Sequence, residues 1–550
     1  MFNLPVRKAG QYGIITDVNA YDLPPNAYSN GNNVLFDEDK VLRAPVYKEL
    51  FTLAGQAANE TTPVSSFHYT NATDGAVALI GYQDHSIKEF NNGTEVDVTP
   101  TSGISVGTLD KPYTHTQLSG LSVIGRQDMK PYIRDITSSS TYSLLSVGDW
   151  PVNDTAHAWR SYKDFFIALN VNESGTQKDT MVKWSNTVQY RANPATGVVW
   201  TASTTNSAGS NILAQMRTGI VDGLPLANSF VIYSQSESVI MDYTGSNEVF
   251  AFKALFDDDG VINQNCIAST GKEHYVFGNK DIYVHNGITK KSVAQGRVRR
   301  KIFQGMSETD KDKCFVHFDK RLDLIYFCYV SNESDIGFVS TNYCNRAAIY
   351  NVRYNTWSLV DLPNAFGAGL ANIDLSVQSY ATLTDGYDST DSPYEVFEDA
   401  SPRATYFASA RQDTVGLTSG RVYAADLLVD GLVQANAHPE ALKPAFVERL
   451  GLDLDETQAP LRSYKNILAF VPQIVTLSGE DPVTISLGAT DLPYVTDPNY
   501  QTVVSFAPSD AHKIDSRAAG RLIAFRITES AGKYFNYSGG DFEIDITSSR

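Results

Sequence analysis

The sequence predicts an all-β chain: a β-propeller of six to eight blades with a C-terminal β-rich domain and long inserted loops. Three observations predict it. A pair of short strands recurs at steps near 45 residues, and the recurring strands are apolar runs rather than alternations. Aromatic residues, Tyr 30 and Phe 26, far outnumber Met 6, which suits a pleated, half-buried surface.

The first copy of the repeat is Val77-Ala78-Leu79-Ile80-Gly81, then Ile87-Lys88-Glu89-Phe90 and an Asn-Asn-Gly turn. The second, Leu121-Ser122-Val123-Ile124-Gly125 with Pro131-Tyr132-Ile133-Arg134, follows after 44 residues. The third, Phe166 to Asn170 with Met181 to Trp184, follows after 45. The fourth, Phe230 to Ser234 with Val239 to Tyr243, comes after 64, and the excess coincides with a Thr/Ser/Asn/Gly-rich stretch at 201–210 that reads as an inserted loop. The fifth, Tyr275 to Gly278 with Ile282 to Gly287, returns to 44. The sixth, Leu324 to Cys328 with Ala348 to Asn351 and Asn355 to Ser358, follows at 50. Such steps suit a four-stranded antiparallel unit that must stack on copies of itself, since one unit cannot bury both faces alone. An ordinary β-sandwich array with similar strand spacing is the competing reading.

Residues 374–403 hold Ser, Thr, Asp and Pro in quantity and read as a loop or interaction arm. Thr405 to Ala410 and Arg421 to Leu427 read as a seventh unit, Pro439 to Leu450 as a short helix, and Ser463 to Ile546 as further strands. The division is therefore 1–60 as an N-terminal segment, 61–373 as blades, 374–403 as the arm, and 404–550 as further blades and the C-terminal β-domain.

Lys+Arg 44 against Asp+Glu 62 gives a net charge of −18, which opposes a grip on nucleic acid through phosphate neutralisation and opposes a polybasic membrane anchor. No apolar run reaches the roughly 18 residues of a membrane helix, so no membrane insertion is expected, and no signal-peptide core follows Arg7 and Lys8. Cys266, Cys314, Cys328 and Cys344 lack Cys-x-x-Cys spacing and read as free thiols in a core.

The search for chemistry is negative. The nine histidines form no His-x-x-x-His or His-x-His pair for a metal. Asp257-Asp258-Asp259-Gly260 is an oxygen cluster without the ligand spacing of an EF-hand, and reads as a solvated turn. Neither a Gly-x-Ser-x-Gly elbow nor a phosphate-binding loop occurs, so no catalytic residue, metal or cofactor is nominated. The most basic patch, Arg297, Arg299, Arg300 and Lys301, reads either as a DNA-facing or docking surface or as a solvated hairpin face.

Two terminal segments and one central segment carry a resemblance. The opening runs Gly13-Ile14, Asp22-Leu23-Pro24-Pro25-Asn26-Ala27-Tyr28, Gly31-Asn32-Asn33-Val34-Leu35-Phe36 and Arg43-Ala44-Pro45. The closing segment runs from His512 through Arg517-Ala518-Ala519-Gly520-Arg521 and Phe525-Arg526-Ile527 to Gly539-Gly540-Asp541-Phe542-Glu543-Ile544, and the centre holds Gly260-Val261-Ile262 and Phe277-Gly278-Asn279-Lys280-Asp281. Together they resemble the tail nozzle, or packaged-DNA stabilisation and tail hub, proteins of short-tailed, podovirus-type bacteriophages. The resemblance implies a structural virion protein located in the virion tail and assembled in the host bacterial cytoplasm. It implies a homo-hexamer below the portal that meets the tail adaptor (head-to-tail connector) protein, tail fibres or spikes and a plug or needle protein. Its channel retains packaged genomic DNA and then conducts it during ejection. If six copies assemble, they total −108, and the charge then leads to the expectation of an acidic wall on which DNA does not park. The alternative is a propeller-fold, glycan-degrading tail enzyme with paired carboxylates in an axial pocket. A third reading is a host scaffolding propeller.

Overall fold

Alternating residues along the recurring strands face opposite sides, and both sides are apolar, so each strand must lie in a sheet covered on both faces. The computed structural model describes residues 2–548 apart from 54–62, 72–74, 92–93, 102–110, 138–140, 146–148, 152, 195, 247, 334–342, 373–402, 410–419, 426–443, 454–462, 477–480, 493–497, 510 and 531. Among these the chain is almost wholly β, in many small antiparallel sheets, with one α-helix, α1 (Arg299–Gly305).

Six sheets are sequential antiparallel meanders. Sheet I comprises Pro63–Asn71, Gly75–Tyr82, Ile87–Asn91 and Thr94–Asp97. Sheet II comprises Thr114–Leu118, Leu121–Gly125, Tyr132–Asp135 and Ser143–Leu144. Sheet III comprises Thr155–Tyr162, Phe165–Glu173, Thr176–Trp184 and Gly209–Ile212. Sheet IV comprises Ile220–Leu226, Ser229–Ser234, Ser238–Tyr243 and Phe250–Phe256. Sheet V comprises Ile267–Ser269, His274–Phe277, Ile282–His285 and Lys290–Ser292. Sheet VI begins with Phe315–Asp319, Leu324–Tyr329, Cys344–Asn351 and Thr356–Asn372. The strand pairs of the sequence repeat are the second and third strands of these units.

Apolar clusters join the sheets in succession. Leu79 meets Ile124 and Tyr132 between I and II, and Val123 meets Trp159 and Phe166 between II and III. Ile167 and Leu169 meet Phe230 and Ile232 between III and IV. Val231, Phe277 and Phe327 share one cluster across IV, V and VI, and sheet VI packs back on sheet I through Phe366, Tyr406, Ile80 and Tyr82.

The segment read as a seventh unit is instead an extension of sheet VI. Arg403–Ser409 and Arg421–Ala424 continue its ladder, and Lys48–Thr52 forms its outer edge. The expected helix is also corrected: its C-terminal half lies in the strand Ala445–Leu452, where pairing with Leu522–Glu529 outweighs local helix propensity. The rest of that helix and the arm at 374–402 lie outside the described residues. The inserted loop holds as far as Ala208, after which Gly209 starts the last strand of sheet III.

Both chain ends build two further sheets. Sheet VII holds Phe2–Arg7, Val34–Asp37, Lys40–Arg43, Tyr464–Thr476, Ile514–Asp515, Ala519–Gly520 and Phe535–Ser548. Sheet VIII holds Asn30–Asn32, Ala445–Leu452, Val483–Thr490, Asn499–Phe506 and Leu522–Glu529. They meet over Phe470, Phe525 and Phe542, with the Phe470 and Phe542 rings stacked at 4.2 Å. Against sheet VI, Gly13 adopts φ +67° where a Cβ would come within 2.9 Å of the Trp357 backbone, and Asn32 and Asn33 donate to Asp361 at 3.0 and 3.2 Å.

The small residue that ends the repeat's first strand also has a steric reason. A Cβ on Gly81 would sit 2.8 Å from the Tyr113 ring, and one on Gly125 would sit 2.5 Å from Trp159 Nε1. Each glycine lies under an aromatic ring delivered by the next sheet. Trp159 is further clamped by Trp150 and Trp200, at 4.8 and 5.7 Å between centroids. Gly125→Ala should therefore destabilise the protein by about 1–3 kcal/mol through overpacking. Urea unfolding checks this; a wild-type midpoint would refute the packing of Trp159 on Gly125.

Candidate functional site

The first strands of sheets II to VI contact one another in order, and the fourth strand of sheet VI contacts the first strand of sheet I. Side chains from these strands and the turns leading into them line one cavity of about 350 Å³. Ser66 and His68 come from sheet I, His115 from II, Arg160 from III, Asp222 from IV, Gln264 and Asn265 from the approach to V, and His317 from VI.

The polar groups around the cavity connect neighbouring sheets. Tyr113 N–H donates to Ser65 Oγ at 2.8 Å, and Trp159 N–H to Thr114 Oγ1 at 2.8 Å. Arg160 forms a two-pronged pair with Asp222, Nε to Oδ1 at 2.8 Å and Nη2 to Oδ2 at 2.7 Å, and also donates to His115 O and Asn265 Oδ1. Asp222 accepts the backbone N–H groups of Gly223 and Asn265 as well, at 2.7 and 2.9 Å. Asn265, in the left-handed region at φ 58°, donates to Tyr113 O at 2.8 Å, and its carbonyl accepts Val316 N–H at 2.8 Å. On the closing side, Tyr406 OH bonds Ser66 Oγ at 2.9 Å and Phe67 O at 2.7 Å. Lys111 and Asp312 pair at 2.7 Å.

A second polar chain is buried between sheets IV and V. Gly287 N–H donates to His285 Nδ1 at 3.2 Å, so His285 carries its proton on Nε2 and donates it to Tyr233 OH at 2.5 Å. Tyr233 OH in turn donates to His274 Nδ1 at 2.8 Å, and His274 Nε2–H to Pro225 O at 2.8 Å. Every site is satisfied with both imidazoles neutral. Protonating His285 would set two donors, Nδ1–H and Gly287 N–H, against each other.

The basic patch lies elsewhere. Arg297 accepts Thr16 and Asp17 N–H groups on its carbonyl and donates from its guanidinium to Tyr12 O. Arg299 donates to Lys280 O, Lys301 pairs with Glu333 at 2.5 Å, and Arg300 N–H donates to Asp17. The patch ties the N-terminal segment to α1; Arg300 is exposed, and Arg297, Arg299 and Lys301 are half-buried residues. Asp258 and Asp259 are engaged by Lys290. All four cysteines are free and buried, and burial pushes the Cys314 thiol up to about 12. Sequence reading missed the cavity because its residues are spread from Val64 to Ala368. The one usable signal was position: Ser66, His68, His115, Arg160, Asp222, Gln264, Asn265 and His317 each lie at or just before the strand preceding a repeat.

No family model and no curated protein matches the chain. Solved structures similar to it include the computationally designed Ika8 protein, at 11% identity over 68% of this chain and 99% of that one, with a TM-score of 0.33. Another is Hsv2 of Kluyveromyces lactis, at 11% identity over 55% of this chain and 98% of that one, with a TM-score of 0.30.

Replacing Asp222 with Asn should cost about 3–5 kcal/mol, because it leaves the Arg160 guanidinium buried without its counter-charge. The double variant Arg160→Met/Asp222→Leu should lose less, and urea titrations of both decide the matter. Burial also pushes His115, His285 and His317 down to about 3, and His274 to about 4. The unfolded chain takes up these protons near pH 6.5 while the folded chain refuses them, so their stabilisation is complete above that pH and is lost as pH falls towards 3–4. Between those limits unfolding should take up about four protons from these groups. The slope of unfolding free energy against pH measures this, and His285→Gln should lower it by one.

Proposed function

We propose that the six meanders close into a β-propeller of six blades, and that the chain is a structural subunit of a short-tailed phage nozzle. In this reading a ring of six chains extends the portal and adaptor channel, holds the packaged DNA and conducts it at ejection. The observation that carries the reading is convergence. The two terminal segments bearing the resemblance lie about 500 residues apart in sequence, yet they meet in sheets VII and VIII: Val34–Asp37 and Lys40–Arg43 share a sheet with Phe542 and Ile544, and Gly31 pairs with Val447 beside the strand carrying Phe525. Motifs that build one body are what a shared assembly element requires.

Two features bear on how such a ring works. The axial cavity is crossed by side chains and holds about 350 Å³, which leaves no room for a duplex, so the DNA path runs between chains and not along the axis of one. The carboxylates lining the cavity, Asp222 and Asp312, are both committed to cations, which favours a structural role over the glycan-degrading alternative.

Mass measurement with and without the tail adaptor tests the reading. Mixed with the adaptor, the 60.3 kDa chain should form a ring of six copies. A chain that stays monomeric beside the adaptor and releases reducing ends from polysaccharide would overturn it.

A further inference from the structure

The geometry points to Asn286 as a site of covalent self-modification, where the side-chain amide is converted to an acid through a cyclic imide formed with the Gly287 backbone. Residues 286–289 make the turn between Ile282–His285 and Lys290–Ser292 of sheet V. Asn286 is exposed and Ile288 beside it is 84% exposed, so water reaches the turn.

Three parts of an acyl-transfer centre meet there. The nucleophile is the nitrogen of Gly287, a residue with no Cβ to crowd its approach. The base is His285, whose Nδ1 accepts Gly287 N–H at 3.2 Å and carries no proton, because the imidazole gives its one N–H to Tyr233 OH. The oxyanion position is Asn286 Oδ1, which accepts Ile288 N–H at 3.0 Å, Thr289 N–H at 2.9 Å and the Thr289 hydroxyl at 3.2 Å. Three donors polarise that carbonyl and hold negative charge as it develops.

As Gly287 N bonds to Asn286 Cγ, its proton passes to His285 Nδ1 and the carbonyl electrons move onto Oδ1. Transfer and attack are concerted, since an amide N–H is too weak an acid to ionise first. The proton arriving on Nδ1 is the one Gly287 gives up, so two donors never face each other. Collapse of the oxyanion breaks the Cγ–Nδ2 bond, and Nδ2 leaves as ammonia with that proton. Water then opens the imide on either side, leaving an aspartyl or isoaspartyl residue at position 286 and one added negative charge. Asn30-Gly31 supplies an internal control: Gly31 N–H donates to Asn30 Oδ1 at 3.0 Å and not to an imidazole, and Gly31 is held opposite Val447 in sheet VIII.

Peptide mass mapping of the full chain after prolonged incubation tests the inference. Position 286 should convert several-fold faster in the folded chain than in the chain held unfolded in urea, while Asn30 stays an amide in the folded chain. Between about pH 5 and about pH 8 the folded rate should be nearly flat, whereas a hydroxide-driven reaction rises about tenfold per pH unit. The titratable groups facing His285 are His274, Tyr233, Tyr283 and Lys290. Burial holds both imidazoles neutral and both phenols protonated across that window, and Asp258 and Asp259 keep Lys290 charged. His285→Gln should slow conversion by about 10- to 100-fold and restore the steep slope with pH. If that variant does not fold, the wild-type rates in buffer and in urea decide. Conversion no faster in the folded chain than in urea would overturn the site, and so would a folded rate that climbs tenfold per pH unit or a folded His285→Gln chain that converts at the wild-type rate.

Discussion

A strand that is apolar on both faces is the constraint from which the rest of this structure follows. In the second strand of sheet I, Leu79 faces sheet II while Ile80 faces sheet VI; in sheet II, Val123 faces III and Ile124 faces I; in sheet IV, Phe230 faces III and Val231 faces V. Each fully buried side chain of this kind contributes about 1.5–3 kcal/mol, so leaving one face of one sheet in water is far costlier than adding a neighbour. The series can stop only when the last sheet covers the free face of the first. Sheet VI is widened by Arg403–Ser409 and Arg421–Ala424, and Tyr406, Ala408 and Val422 on those strands meet Ile80 and Tyr82.

That constraint is local, which is why it was legible. Unbroken apolar runs and the small residue after them mark the second strands directly, and Gly81 and Gly125 are small because the next sheet lays an aromatic ring on them. Pairings that join the ends of the chain leave no such mark. Phe2–Arg7 lies against residues 539–544 with nothing in either segment to name the other. Ala445–Leu452 illustrates the failure in reverse: good helix formers precede it, and only the distant strand Leu522–Glu529 makes it extended. The candidate site was illegible for the same reason, since Arg160, Asp222 and Asn265 meet only once three sheets are in place.

Apolar wedges between sheets are non-directional and leave the sheets' relative positions loosely defined. The polar groups around the cavity are directional. Trp159 N–H on Thr114 Oγ1, Asn265 on Tyr113 O and the Arg160–Asp222 fork each bridge two different units, and each has one geometry in which its atoms are satisfied. Asp222 accepts from Arg160 and from two backbone N–H groups, so any slip of sheet IV would leave a buried carboxylate short of donors. Burial attracts the units to one another, and the polar network around the cavity decides where they stop.

Separation along the chain then ranks the steps of assembly. Each meander pairs strands that follow one another in the chain, the longest connection being residues 185–208 in sheet III, whereas sheets VII and VIII require contacts between positions such as Arg7 and Asp541, 534 residues apart. Closure entropy grows only logarithmically with loop length, so these long pairings are not prohibitively unstable. They are slow, because non-local strands must wait for the units between them to condense. Sheet VI is completed by Lys48–Thr52, just after the N-terminal strands of sheets VII and VIII, so its outer edge depends on the position of the body built by both ends. One apolar cluster runs through sheets IV, V and VI and the two terminal sheets, so the meanders and the body built by the chain ends share a core.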